Sequence, residues 1–168
     1  MIVVSNASPL IILAGIGFFE LTKYLFKEII ISQEVWDEVV INGAGLPGSR
    51  EAQQGFQSGW IHVKPLAKSD QLTAWRNQYN LGAGELATII LAKEIQADVA
   101  LMDERRARNL ALSEGVKVLG SIGIIELGYQ KGEVTELRQV YQMLLSNGTY
   151  MDRRLLNYSL AKFNLPHL

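Results

Sequence analysis

Five short apolar runs, each followed by a helical pattern, are the strongest constraint on what this chain can fold into. Ile2-Val3-Val4-Ser5, Ile29-Ile30-Ile31, Trp60–Val63, Ala97–Met102 and Val116–Leu119 are rich in aliphatic and β-branched residues and lack a sustained apolar/polar alternation. A strand wetted on one face alternates, whereas a strand covered on both faces does not. With helices between the runs, the expected fold is α/β: a three-layer α/β/α sandwich with a central parallel sheet. The 168 residues fit one domain, 1–168, with C-terminal helices from about Glu133.

The helical segments follow from caps and breakers. Ser8 and Pro9 read as an N-cap and first-position pair, so a helix is expected from there to about Ala14, ended by Gly15 and Gly17. Phe18–Phe26 forms a short amphipathic helix, and Ser32 caps a helix from Gln33 to about Asn42. Further helices are expected at Ser49–Gln57, Ser69–Tyr79, Glu85–Ile95, Glu104–Ser113, Ile122–Gln130, Glu133–Leu145 and Met151–Lys162. No internal repeat is present.

Composition removes several chemistries. There is no cysteine, so disulfides and thiolate zinc sites are excluded. The two histidines, His62 and His167, stand far apart, and nothing beside His62 suggests a Ser-His-Asp arrangement. No basic leader precedes the first strand, and the apolar stretches are short of a membrane span, so a soluble cytoplasmic protein is expected. The net charge of −1 argues against nucleic-acid binding by bulk electrostatics, but Arg105, Arg106 and Arg108 make a local basic cluster. A solvated helix face explains that cluster equally well.

Two glycine motifs carry no nucleotide-site signal. Gly43-Ala44-Gly45-Leu46-Pro47-Gly48 matches G-x-G-x-x-G, yet a helix rather than a strand precedes it and Pro47 interrupts it, so a flexible loop is expected. Gly82-Ala83-Gly84 lacks the lysine and hydroxyl of a phosphate-binding loop.

What remains is a set of polar side chains where the apolar strands end. Asn6 follows the first run and Asp103 the fourth, and in parallel sheets ligands bind beyond the carboxyl ends of the strands. Glu38 and Glu85 each sit on an otherwise apolar helix. Three carboxylates converging with an amide would suit a divalent cation and phosphodiester cleavage. Each has a plainer role open to it. Asp103 could cap the following helix, and Glu85 could complement a helix N-terminus, worth about 0.3–1 kcal/mol. Glu38, at the edge of an apolar stripe beside Val35 and Val39, is harder to explain without a cation, a donor or a bound proton.

Four segments in order resemble the PIN-domain family: Ser5-Asn6-Ala7-Ser8-Pro9-Leu10, Ile31–Val39, Leu81–Ile89 and Leu101–Arg108, followed by Leu119-Gly120-Ser121-Ile122-Gly123. The likeness runs from about Val3 to Phe163 and is nearest to VapC-type toxins and to PIN proteins described as nucleic-acid-binding. It implies an acidic cluster that binds Mg²⁺ or Mn²⁺ and hydrolyses RNA. Asn6 holds the place of the first acid, Glu38 the second, Glu85 the third and Asp103 the fourth, with Glu104 a substitute. Ser8 matches the small polar residue of the pocket. It also implies RNA as substrate, an antitoxin as partner and a homodimer. Arg105, Arg106 and Arg108 would then hold RNA phosphates or pair with the antitoxin. Asn6 departs from the pattern, since an amide brings an oxygen ligand but no charge. The competing expectation is therefore a catalytically silent PIN module that binds nucleic acid or a protein. An unrelated doubly wound domain with a small-molecule ligand is disfavoured by the missing phosphate loops.

Overall fold

The computed structural model describes residues 1–168. Five strands form one all-parallel sheet: β1 Val3–Ser5, β2 Ile29–Ser32, β3 Ile61–Lys64, β4 Val99–Leu101 and β5 Val118–Leu119, in the order β3-β2-β1-β4-β5. The chain steps outward from β1 to β2 and β3, then returns to the other side of β1 for β4 and β5. This reversal is a topological switch, and it opens a crevice beyond the carboxyl ends of β1 and β4. Register is fixed by Val4 opposite Ile30 and by Val3, Val4 and Ser5 opposite Val99, Ala100 and Leu101.

The helices are α1 Ala7–Gly15, α2 Glu20–Phe26, α3 Gln33–Trp36, α4 Ser49–Gln57, α5 Ser69–Gln78, α6 Ala83–Glu94, α7 Arg105–Ser113, α8 Ser121–Gln130, α9 Leu137–Ser146 and α10 Arg153–Lys162. They cover both faces of the sheet. Val3, Ile29, Ile31 and Leu101 point into a core shared with α1, α8, α9 and α10. Val4, Ala100 and Met102 point into a separate core shared with α6 and α7. Successive strand residues thus enter opposite cores, both apolar, which is why the runs show no alternation. The sandwich architecture expected from the sequence is the one observed.

Helices α1 and α3 depart from the local expectations. Ser8 does not cap α1. The helix starts two residues earlier, with Asn6 at the cap position in extended geometry. Pro9 then falls in the first turn, where a missing N–H costs no intrahelical bond. Helix α3 does start at the Ser32 cap, whose hydroxyl accepts from Val35 N at 3.1 Å. It then widens into a π-helical turn, Asp37–Ile41, closed by Asn42 N donating to Asp37 O at 2.8 Å.

The loop from Gly43 to Gly48 is not the unconstrained segment expected. A Cβ on Gly43 would lie 2.4 Å from the Val39 carbonyl oxygen, and Gly48 has φ +98°, so both positions demand glycine. No helix is long and apolar enough to cross a membrane.

Candidate active site

β1 ends in Ser5, and the next backbone N–H, that of Asn6, donates to Leu101 O of β4 at 2.9 Å. This bond fixes Asn6 at the crevice. Asn6 is 3% exposed and sits where asparagine commonly caps a helix, yet its side chain makes no cap bond. Its Oδ1 is buried and has no hydrogen-bond partner. An unpaired buried acceptor of this kind costs about 1–3 kcal/mol.

An open cavity of about 570 Å³ lies in front of this oxygen, lined by Asn6 and Ser8 from the β1–α1 junction, Glu34 and Glu38 from the α3 segment, and Glu85 from α6. The close approach of α6 to α3 brings these groups together, and it depends on Gly84. A Cβ there would meet Glu38 Oε2 at 2.8 Å, Val35 Cγ2 at 3.5 Å and Asn6 Oδ1 at 3.6 Å. Glu38 Oε2 and Asn6 Oδ1 therefore flank one point. Glu85 is half-buried, and its Oε2 accepts the Gly82 N–H at 3.0 Å, which is the helix-terminus role open to it from sequence.

Glu38 is exposed as a residue, which corrects the expectation of a buried carboxylate. Its carboxyl end lies against Gly84. It is held above the ordinary carboxylate range, first by desolvation and second by the nearby Glu85 charge. With the folded value raised, the contribution of Glu38 to stability is fully present below its unfolded pKa and is lost as pH rises through the folded one. At neutral pH the ionised group therefore opposes folding. Glu38→Gln should raise the melting temperature at pH 7 in chelator. That advantage should vanish below the ordinary carboxylate range, as thermal denaturation across pH 3–7 would reveal.

Asp103 and Glu104 do not line the cavity. Asp103 Oδ1 accepts from Ser121 N at 2.7 Å, and its Oδ2 accepts from Ser121 Oγ at 2.7 Å and Ser8 Oγ at 3.2 Å. It ties the end of β4 to the first turn of α8, with Ser8 standing between it and the cavity. Gly120 makes this possible, because a Cβ there would lie 3.1 Å from Asp103 Oδ1 and 2.5 Å from Arg108 Nη1. The cap of α7 is Glu104, not Asp103: its Oε2 accepts from Ala107 N at 2.7 Å. Arg108 turns back to donate to Met102 O at 3.2 Å, while Arg105 and Arg106 are exposed.

No three Asp, Glu or His side chains converge closely enough to hold an ion by themselves. The convergence of Glu38, Glu85 and Asp103 expected from sequence is replaced by a mixed set, one amide oxygen with the carboxylates of Glu34, Glu38 and Glu85 around one cavity. All are hard oxygen donors, and no lysine or arginine lines the cavity. The unpaired Asn6 Oδ1 and the raised Glu38 carboxyl fit a divalent cation that keeps several of its waters. Cavity size does not single this place out. A depression of about 550 Å³ beside α2, lined by Lys23, Tyr24, Lys27 and Glu133 among others, contains no unpaired buried acceptor.

A parallel sheet with a topological switch, helices on both faces and oxygen donors gathered at the carboxyl edge define a doubly wound α/β protein with a candidate cation site. A PIN-domain model matches residues 2–165, and the chain belongs to that family. PIN domains are a nuclease fold, generally use divalent metal ions and generally bind nucleic acids. Among curated proteins none matches the chain.

Proposed function

We propose that this protein is a metal-dependent endoribonuclease of PIN type and the toxin half of a toxin–antitoxin pair. The observation that carries the reading is the buried, unpaired Asn6 Oδ1 facing Glu38 across the point that Gly84 leaves open. Asn6, Glu38 and Glu85 would hold Mg²⁺ or Mn²⁺. When bound, that ion supplies an acidified water and neutralises charge developing on the phosphate.

The chain's own residues do the rest. Asn6 presents a neutral oxygen from a rigid strand end, and Glu38 and Glu85 supply the negative charge that draws in the cation. Glu38, across the Gly84 gap from Asn6, would hold the ion or orient one of its waters toward the phosphate. Ser8 and Asp103 hold α1, β4 and α8 in register around the cavity. Asp103 thus acts as a positioning residue whose one unused carboxylate lone-pair site leaves room for a contact with a water of the ion. Arg105 and Arg106, exposed at the first turn of α7, would take RNA phosphates or an antitoxin's acidic segment.

The test incubates pure protein with structured and unstructured RNA in Mn²⁺ or in chelator. Cleavage that requires Mn²⁺ and fails in Glu38→Gln is the expected result. Binding of RNA without cleavage at any Mn²⁺ concentration favours the second reading, a silent PIN module, for which the amide at Asn6 is the specific observation.

A further inference from the structure

Glu34 lies one turn before Glu38 and lines the same cavity. Sequence reasoning passed over it, because an acid four residues before another reads as a solvated helix face. Its Oε2 is nevertheless buried and accepts no hydrogen bond. The only other buried side-chain atom in this condition is Asn6 Oδ1, on a side chain that is 3% exposed and lines the cavity as well. The two orphaned acceptors belong to side chains 28 residues apart in sequence that line one cavity, with no lysine or arginine in its lining. Asp103 is the opposite case, with both oxygens engaged by Ser8 and Ser121.

We infer that Glu34 is a metal-facing carboxylate that supplies, from α3, the negative charge missing at Asn6. This rests on the metal-site reading above. The chemistry is a matter of charge and donor type. A hard divalent cation takes neutral and anionic oxygens alike, but its affinity rises with the number of charged ligands. An amide at the end of β1 keeps the oxygen and loses the charge. A carboxylate on the facing helix, already stripped of donors and cations, returns that charge to the same cavity. One oxygen of this half-buried carboxylate is buried without a donor, and a bound cation would give it a partner.

The test is Mn²⁺ titration of the intact chain, read by calorimetry and by the shift in melting temperature. Four proteins are compared: wild type, Glu34→Gln, Glu38→Gln and the double variant Asn6→Asp/Glu34→Gln. Glu34→Gln should fold normally in chelator, with a melting temperature equal to wild type or higher, and should bind Mn²⁺ at least about tenfold more weakly. The double variant should regain affinity to within about threefold of wild type, because the charge returns from the other side of the cavity. If Glu34→Gln binds Mn²⁺ like wild type while Glu38→Gln is weakened, the inference falls and the metal-site reading stands. Weakened binding that Asn6→Asp fails to rescue also overturns the charge replacement. Loss of folding of Glu34→Gln in chelator would make Glu34 structural and overturn it too. Wild type that neither binds Mn²⁺ nor shifts would remove both the inference and the reading beneath it.

Discussion

Asn6→Asp should lose stability in chelator and gain it back in Mn²⁺. The new carboxylate would be almost fully buried, across the Gly84 gap from Glu38 Oε2, in a cavity that Glu85 also lines. Desolvation and like charge both penalise its ionised form, and a shift of two to three pKa units corresponds to about 3–4 kcal/mol at neutral pH. Because the folded value would be raised, the deficit grows as pH climbs above the ordinary carboxylate range and disappears below it. A divalent cation reverses the sign, since it gains a charged ligand and stabilises the fold by mass action. Thermal melts in chelator and in millimolar Mn²⁺ should therefore move in opposite directions relative to wild type. Cleavage of RNA should rise if the amide is what limits the reaction. A variant with unchanged melting temperature under both conditions would mean that Asn6 does not face a cation site.

Asp103→Ala should be destabilising with or without metal. The carboxylate accepts three hydrogen bonds, two of them from Ser121, which is fully buried. Removing it strands the Ser121 N–H and hydroxyl and unties β4 from α8, at a cost of about 2–5 kcal/mol. Asp103→Asn keeps the shape and one acceptor oxygen, so roughly half of that loss should be recovered. Urea denaturation of the two variants decides the matter. Mn²⁺ should restore little of the stability of Asp103→Ala, in contrast to Asn6→Asp. If Asp103→Ala were as stable as wild type in chelator yet bound no metal, Asp103 would be a direct ligand instead of a positioning residue.

The sheet was legible because burial on both faces leaves a plain mark, a short apolar run without alternation, and each expected run overlaps a strand. Boundaries were less legible where several residues could do the same job. Asn6 and Ser8 are both good caps, and the helix starts after Asn6, whose backbone N–H is bonded to Leu101 O. Likewise α9 starts at Leu137, not Glu133, because Glu133 N and Val134 N fold back onto Gly128 O and finish the previous helix before a new one begins. In the site, Glu38 and Glu85 could be read from the sequence as acids on apolar helices. The division of labour between Asp103 and Glu104 could not, since two adjacent acids at a strand end look alike until one meets Ser121 and the other Ala107. Glu34 left no signal at all. What sets it apart is a buried oxygen without a partner on the cavity that Asn6 also lines, which no helical period records.

The π-helical turn after Trp36 divides the cavity into parts with unequal freedom to change. Asn6, Glu34 and Gly84 are locked to the sheet and to the α3–α6 contact, so an alteration there disturbs a core. Glu38 and Asn42, which also line the cavity, sit in and just after a turn that holds one residue more than an α-helix needs. Deleting that residue would let the helix close normally and swing the far rim by about 100°, the angle one residue subtends in an α-helix. Glu38 lies inside this turn and would move with it, while Asn6, Glu34 and Glu85 would stay where they are. A length change at this one turn would thus alter the rim and the placement of one acid together, so the extra residue ties the shape of the cavity to its charge.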